Sequence, residues 1–205
     1  MVIKHVSFKH GWFYHYRLHT IKTQSLCKNN LESLRNYLNY VFESCPDEHF
    51  NSGPRSSSLK FNLNDVNLVK ISGHEVSSLA KLGLDISRKL SAHSKVQLFM
   101  LEQDNKTLAV EVPLWLHPEE LESYTQIFNS DEPLTGHIDA LRVEDGKIWI
   151  WDFKPKAEKE KYASTQVFFY AYMLSKRTNI PLDSFRCGYF DEKIAYVFNP
   201  IEAVI

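Results

Sequence analysis

The stretch GHIDALRVEDGKIWIWDFK, residues 136–154, carries Asp139, Asp152 and Lys154 on two apolar runs joined by Asp145-Gly146. Asp-Gly is the preferred two-residue hairpin loop, because a type I′ turn needs positive φ at both central positions. With that loop Glu144 faces Lys147, and the register carries Val143 to Ile148, Leu141 to Ile150, Asp139 to Asp152 and His137 to Lys154. Side chains alternate along a strand, so the last four pairs share one face. Trp149, Trp151 and Phe153 take the other, which marks the second strand as central and buried. Carboxylates directly across a hairpin stand roughly 5 Å apart at Cβ, and at an effective dielectric near 20 they repel by about 3 kcal/mol. A shared proton, the Lys154 cation or a divalent metal would offset that cost; Mg²⁺ in particular takes oxygen ligands and keeps several waters. The plainer alternative is a pair of strand ends neutralised by Lys154 and solvent, which leaves the apolar surroundings unexplained.

The elements around this hairpin must position it. Leu31, Leu34, Leu38 and Val41 stand at helical spacing within residues 30–44. The segment NSGPRSSS, residues 51–58, reads as a loop. Ser72 and Glu75 form a capping box ahead of Leu79, Leu82, Ile86 and Leu90, which predicts a helix over 73–91. Val96–Glu102 and Leu108–Leu114 read as strands joined through Asp104-Asn105-Lys106, and Pro118–Phe128 as a short helix. His137–Val143 and Lys147–Phe153 are the hairpin, residues 160–176 a long helix, and Phe185–Phe190 and Ile194–Phe198 a final strand pair. A helix, three or four strands, a helix and strands describe an α/β domain with a helix-flanked sheet.

Composition agrees with one domain. The 205 residues are 43% hydrophobic and 24% charged, which is globular rather than disordered. Lys plus Arg number 24 against 25 acids, so nucleic acid cannot be held by global positive charge, only by a local basic face. Such a face could lie at the start. The first acidic residue is Glu32, and before it come lysines, arginine and histidines interleaved with Phe8, Trp12, Phe13, Tyr14 and Tyr16. Single-stranded nucleic acid asks for that mixture; a β-hairpin with one packed face explains it as well. Residues 1–60 are expected to form an N-terminal elaboration packed on a core of residues 61–205. The three cysteines form no CxxC, which suits a reducing interior. The N-terminus lacks the roughly 7–15-residue apolar core of a secretory signal. No run approaches the about 20 apolar residues of a membrane span. A cytoplasmic protein without membrane contact is expected.

GHID (136–139), DFK (152–154) and QVFFY (166–170) resemble the G-x-x-D, (D/E)-x-K and Q-x-x-x-Y series of the RecB-like branch of PD-(D/E)XK nucleases. That branch includes helicase-associated and CRISPR-adaptation nucleases. The resemblance covers roughly residues 65–198. It implies a restriction-endonuclease-like core, α-β-β-β-α-β with a central mixed sheet, and a Mg²⁺- or Mn²⁺-dependent nuclease acting on DNA and leaving 5′-phosphate ends. Asp139 and Asp152 would then ligate metal, with the backbone carbonyl of Phe153 completing the site. Lys154 would orient the attacking water and offset charge on the scissile phosphate. Gln166 and Tyr170, four apart on one helix face, would reach back to the site. Glu111, on the strand LAVEVPL, resembles an accessory ligand. Many relatives place a histidine ligand four residues after a helix glycine; Ser77 stands there and His74 follows Gly73 directly, so either His74 serves from a shifted position or the histidine ligand is absent and the site is all carboxylate. Only Cys187 follows the Q-x-x-x-Y segment, so no [4Fe–4S] cluster is expected. Lys156, Lys159 and Lys161 would meet phosphate, and DNA, with a helicase or other DNA-processing protein, would be the partner. The rival readings are a non-catalytic nucleic-acid-binding or assembly module on the same fold, and an RNA-directed nuclease.

Overall fold

The computed structural model describes residues 2–203. Eight strands form one mixed sheet: β1 (Ile3–His10), β2 (Trp12–His19), β3 (Val69–Ser72), β4 (Thr107–Leu116), β5 (Leu134–Glu144), β6 (Lys147–Phe153), β7 (Phe185–Phe190) and β8 (Ile194–Phe198). Their spatial order is β1-β2-β4-β5-β6-β7-β8-β3, and only β6 and β7 run parallel. The parallel pair needs a crossover, supplied by α6 (Ala163–Thr178). With α3 (Glu75–Leu84) and α4 (Ala92–Gln103) ahead of β4–β6, the order is that of a restriction-endonuclease-like α/β core. One face of the sheet packs on α6 and on α2 (Glu32–Ser44), through Leu34, Leu38, Val167, Leu141 and Ile150; the other packs on α3 and α4, through Val76, Met100, Trp151 and Phe153. Tyr16 and Leu18 of β2 join the first of these clusters, so residues 1–60 share both sheet and core with the rest. Of the remaining short helices, α1 (Thr20–Leu26) follows β2 and α5 (Tyr124–Phe128) precedes β5.

The Asp145-Gly146 reversal forms, with φ of 50° and 70°, and the pairs Glu144–Lys147, Val143–Ile148 and Leu141–Ile150 stand as the register requires. Several expectations fail. Val96–Glu102 is not a strand; it lies within α4, where Val96, Gln97, Met100 and Leu101 are buried at helical spacing. Asp104, instead of turning a hairpin, accepts from Lys106 N–H and Thr107 Oγ1 where helix gives way to β4. The helix expected over 73–91 stops at Leu84, and a new one starts after Ser91, whose hydroxyl caps Ser94 N–H. The Ser72–Glu75 capping box is absent: Ser72 ends β3, the His74 ring caps α3, and Glu75 bonds Arg142 and Lys106. The break lets α3 fold back on α4, with Gly83 so close to Val96 that a Cβ would meet it at 3.1 Å. Pro118–Phe128 likewise divides into a 3-10 turn at Pro118–Glu120 and α5.

A further failure concerns the sheet's alternation. The β5–β6 ladder ends at Ala140–Trp151, one step short of Asp139 and Asp152, and His137 pairs with Pro113 of β4 rather than with Lys154. Ile138 and Leu141, three apart, enter the same core cluster, as do Ala109 and Val112 on β4. Both strands therefore slip in phase, and between them sits Glu111 with φ 55°. A left-handed non-glycine residue costs about 1–2 kcal/mol, and it re-aims the side chain as a bulge does.

Candidate active site

The last common row across the sheet runs Arg17, Val110, Ala140, Trp151 on β2, β4, β5 and β6. One step further along the same strands stand Glu111, Asp139 and Asp152. At that step β2 has left β4, since only Arg17 and Leu18 pair with it, and the sheet opens into a cleft. The cavity has a volume of about 430 Å³ and is lined by all three acids, Lys154, Gln166, Tyr170 and His93.

Each acid is held by its own partner. Asp139 Oδ2 accepts from Phe153 N–H at 2.8 Å, replacing the missing ladder bond. Gln97 Nε2 donates to Glu111 Oε1 at 2.6 Å and to Asp139 Oδ1 at 3.2 Å. Gln166 Nε2 donates to Asp152 Oδ1 at 3.0 Å and to the Tyr170 hydroxyl at 2.7 Å, while its Oε1 accepts from Lys154 Nζ at 2.9 Å. Lys154 Nζ also stands 2.8 Å from Asp152 Oδ2. That contact is one of charge rather than direction, because Oδ2 is buried and makes no well-aimed hydrogen bond. The motif glycine has a packing reason: a Cβ on Gly136 would lie 2.3 Å from Tyr170 Cε1. Gly136 and Tyr170 are thus one device, glycine admitting the ring that steadies Gln166.

At the row itself three acids face one cation at ion-pair distance, Lys154, while Arg17 and Arg55 line the same cavity further off. Burial, then Asp152 and Glu111, push the Asp139 carboxyl well above the usual carboxylate range, against Lys154 and the Phe153 N–H. Burial and Asp152 raise Glu111 as well, against Gln97 and Arg17. Burial opposes the charge on Lys154, but Asp152 and Asp139 outweigh it and hold its pKa above the ordinary value. Lys154 is therefore a fixed cation, not a base.

Of the residues expected at the site, Asp139, Asp152, Lys154, Gln166, Tyr170 and Glu111 meet in this cleft. The backbone of Phe153 adjoins it through its N–H. His74 does not: it caps α3 beside Trp151, outside the cavity. Lys156, Lys159 and Lys161 are exposed on the connection from β6 to α6 and do not line the cavity. Two residues escaped the sequence reading. His93 of α4 lies 3.8 Å from Asp139 Oδ2, and Gln97 follows it by one helical turn. The signal was available as Ser91 ahead of His93, Val96, Gln97 and Met100 at helical spacing; reading VQLFMLE as a strand hid it.

The donor set suits a hard divalent cation: three carboxylates with one imidazole, and a buried carboxylate oxygen without a hydrogen bond. The carboxylates are not drawn to coordination distance. Among the described residues the metal-ligating side chains that converge within 4.8 Å are His10, Cys45 and Asp47. There both His10 nitrogens are engaged, by Asp47 and by His137, each at 2.9 Å.

Strands β4–β6 with α6, and acids and lysine at their shared edge, define a nuclease core of restriction-endonuclease type. A sequence model of the PD-(D/E)XK nuclease superfamily matches residues 70–199, more than half of the chain, and the chain belongs to that superfamily. Its members are phosphodiester-cleaving hydrolases that work with divalent metals. No curated protein matches the sequence.

Proposed function

We propose that the chain is a Mg²⁺- or Mn²⁺-dependent deoxyribonuclease of the RecB-like branch. The observation that carries the reading is the row Glu111–Asp139–Asp152 at the mouth of a split sheet, with Lys154 as its single close ammonium. Glu111, Asp139 and Asp152 would hold the cation, with His93 beside Asp139. A bound divalent ion lowers the pKa of a water and polarises a phosphoryl oxygen. The protein's own groups do the rest. Gln166 fixes the Lys154 ammonium and the Asp152 carboxylate through one amide, so the cation is already oriented when phosphate arrives. A preoriented cation at the developing charge stabilises the transition state without reorganisation. Gln97 ties Glu111 to Asp139 in the same way.

Incubation of labelled DNA with Mg²⁺ or Mn²⁺, beside Asp152→Asn and Lys154→Ala, tests this. Metal-dependent cleavage that both variants lose is expected. Matched RNA in competition decides the substrate, and preferential RNA cleavage would overturn the DNA assignment. DNA binding by the parent without cleavage would leave a binding module.

A further inference from the structure

The β1–β2 hairpin is the part of the molecule that the cleavage chemistry leaves unused, and its two faces differ sharply. Tyr16 and Leu18 enter the core. The opposite face presents Phe13, His15 and Arg17 of β2, paired across the hairpin with Lys9, Ser7 and His5 of β1. That face is cationic, imidazole or aromatic apart from the Ser7 hydroxyl, without one carboxylate. At the tip, beyond Gly11, Trp12 is 76% and Phe13 61% exposed, the two largest exposures among the described large hydrophobic side chains. Leaving two large rings in water gains no folding energy, and the strand they stand on also lines the cleft of Asp139 and Asp152.

We infer that Phe13 on the cationic face and Trp12 across the strand from it at the tip stack on unpaired bases, with Arg17, His15 and Lys9 meeting the phosphates of the same strand. The inference rests on the nuclease reading for its choice of nucleic acid, and it names the substrate as a single-stranded segment, a free strand or a frayed end. Three observations lead there. Aromatic faces bind any base, and charge alongside them tracks the backbone. The cationic face matches a polyanion and would repel a basic protein partner. The cleft, about 430 Å³, is of small-ligand size and admits a nucleotide or so rather than a double helix.

The test uses the full chain carrying Asp152→Asn, without divalent metal, so that binding is read apart from cleavage. Oligothymidylate and a blunt duplex of equal length are the probes. Trp12 is the most exposed of the four tryptophans, so its fluorescence should be quenched by oligothymidylate. Trp12→Ala with Phe13→Ala should weaken oligothymidylate binding roughly fivefold to hundredfold per stacked base, with little change for duplex. Phe13→Trp should restore binding where Phe13→Leu does not, which separates stacking from mere apolar contact. Unchanged oligothymidylate affinity, equal losses on single strand and duplex, or rescue by leucine would each overturn the stacking. Intact discrimination in a parent that cleaves nothing with Mg²⁺ or Mn²⁺ would refute the nuclease reading and leave the base stacking in place.

Discussion

Strand β5 carries two charge clusters only three residues apart, and they are built on opposite principles. Around Arg142, Asp104 accepts from Nε at 2.8 Å and Glu75 from Nη2 at 2.7 Å, while Lys106 bonds Glu75 and Glu144. Burial opposes the Arg142 charge, but Asp104 and Glu75 outweigh it and raise its pKa. Around Asp139, three acids share one close cation, and the pKa of Asp139 rises from burial and from its neighbours' charge. In the first cluster every acid is ion-paired to a cation, with Arg142 Nη1 alone lacking a hydrogen bond, and the pairs hold α3, β5 and the end of α4 together. The second is left open, and an arrangement that costs stability in the free protein is one that a bound cation would complete. Proximity of acids and bases alone says nothing of function; whether the charges close does.

The largest effect expected on the closed cluster comes from Arg142→Met. Arg142 is wholly buried and Asp104 nearly so, and removing one member of a buried pair costs about 3–5 kcal/mol. Urea unfolding should show that loss in the midpoint. A variant as stable as the parent would mean the cluster is replaceable by apolar packing and would weaken the contrast.

The open cluster should answer oppositely. Asp139→Asn removes one of three repelling carboxylates and keeps an oxygen for the Phe153 N–H, so stability should hold or rise. Cleavage of DNA should fall by about 10²–10³-fold or more, the scale on which loss of one electrostatic group acts. Loss of both activity and stability would make Asp139 structural and erase the distinction between the clusters.

How much of this was legible depended on which rule governed each residue. The β5–β6 hairpin was readable because Asp-Gly fixes the turn and the turn fixes the register. Gln166 and Tyr170 followed from helical spacing. Residues 96–102 were misread because a short apolar run fits a buried strand or a buried helix alike; Gln97, Leu98, Met100, Leu101 and Glu102 are helix formers, and the segment is buried as a helix packed on Val110 and Trp151. That error concealed His93 and Gln97 and sent the search for a histidine to His74. The acids were expected to face each other by strict alternation. Asp139 and Asp152 stand one step past the last β5–β6 pair, and Glu111 joins them from β4 with a left-handed backbone that no local sequence signal announces.

Metal should sharpen the contrast further. A cation that binds only the folded chain adds about 2.7 kcal/mol at a hundred times its dissociation constant, or roughly 5–10 °C for a chain of this size. Melting with and without Mn²⁺ should show such a rise in the parent and in a variant at the closed cluster such as Glu75→Gln, and little of it in Asp139→Asn. An equal rise in all three would place the ion elsewhere, with His10, Cys45 and Asp47 the first place to look.

The smallest effect, and the most discriminating, is pH dependence in the metal-free protein. A carboxyl whose pKa is raised on folding, as burial and two acids raise Asp139, holds its proton more tightly in the folded chain. Its ionisation therefore starts to cost stability above the unfolded value of about 4, and the cost is complete above the raised folded value. Glu75 runs the other way. Burial opposes its charge, but the bonds from Arg142 and Lys106 bring its pKa below normal. Its contribution is full above the unfolded value and is lost as pH falls through the folded one. In melts with chelator from acid to neutral pH, Asp139→Asn should gain on the parent as pH rises, while Glu75→Gln should fall further behind. Two differences moving the same way would mean that both clusters close their charge alike, and the cleft would then lack the imbalance that invites a cation.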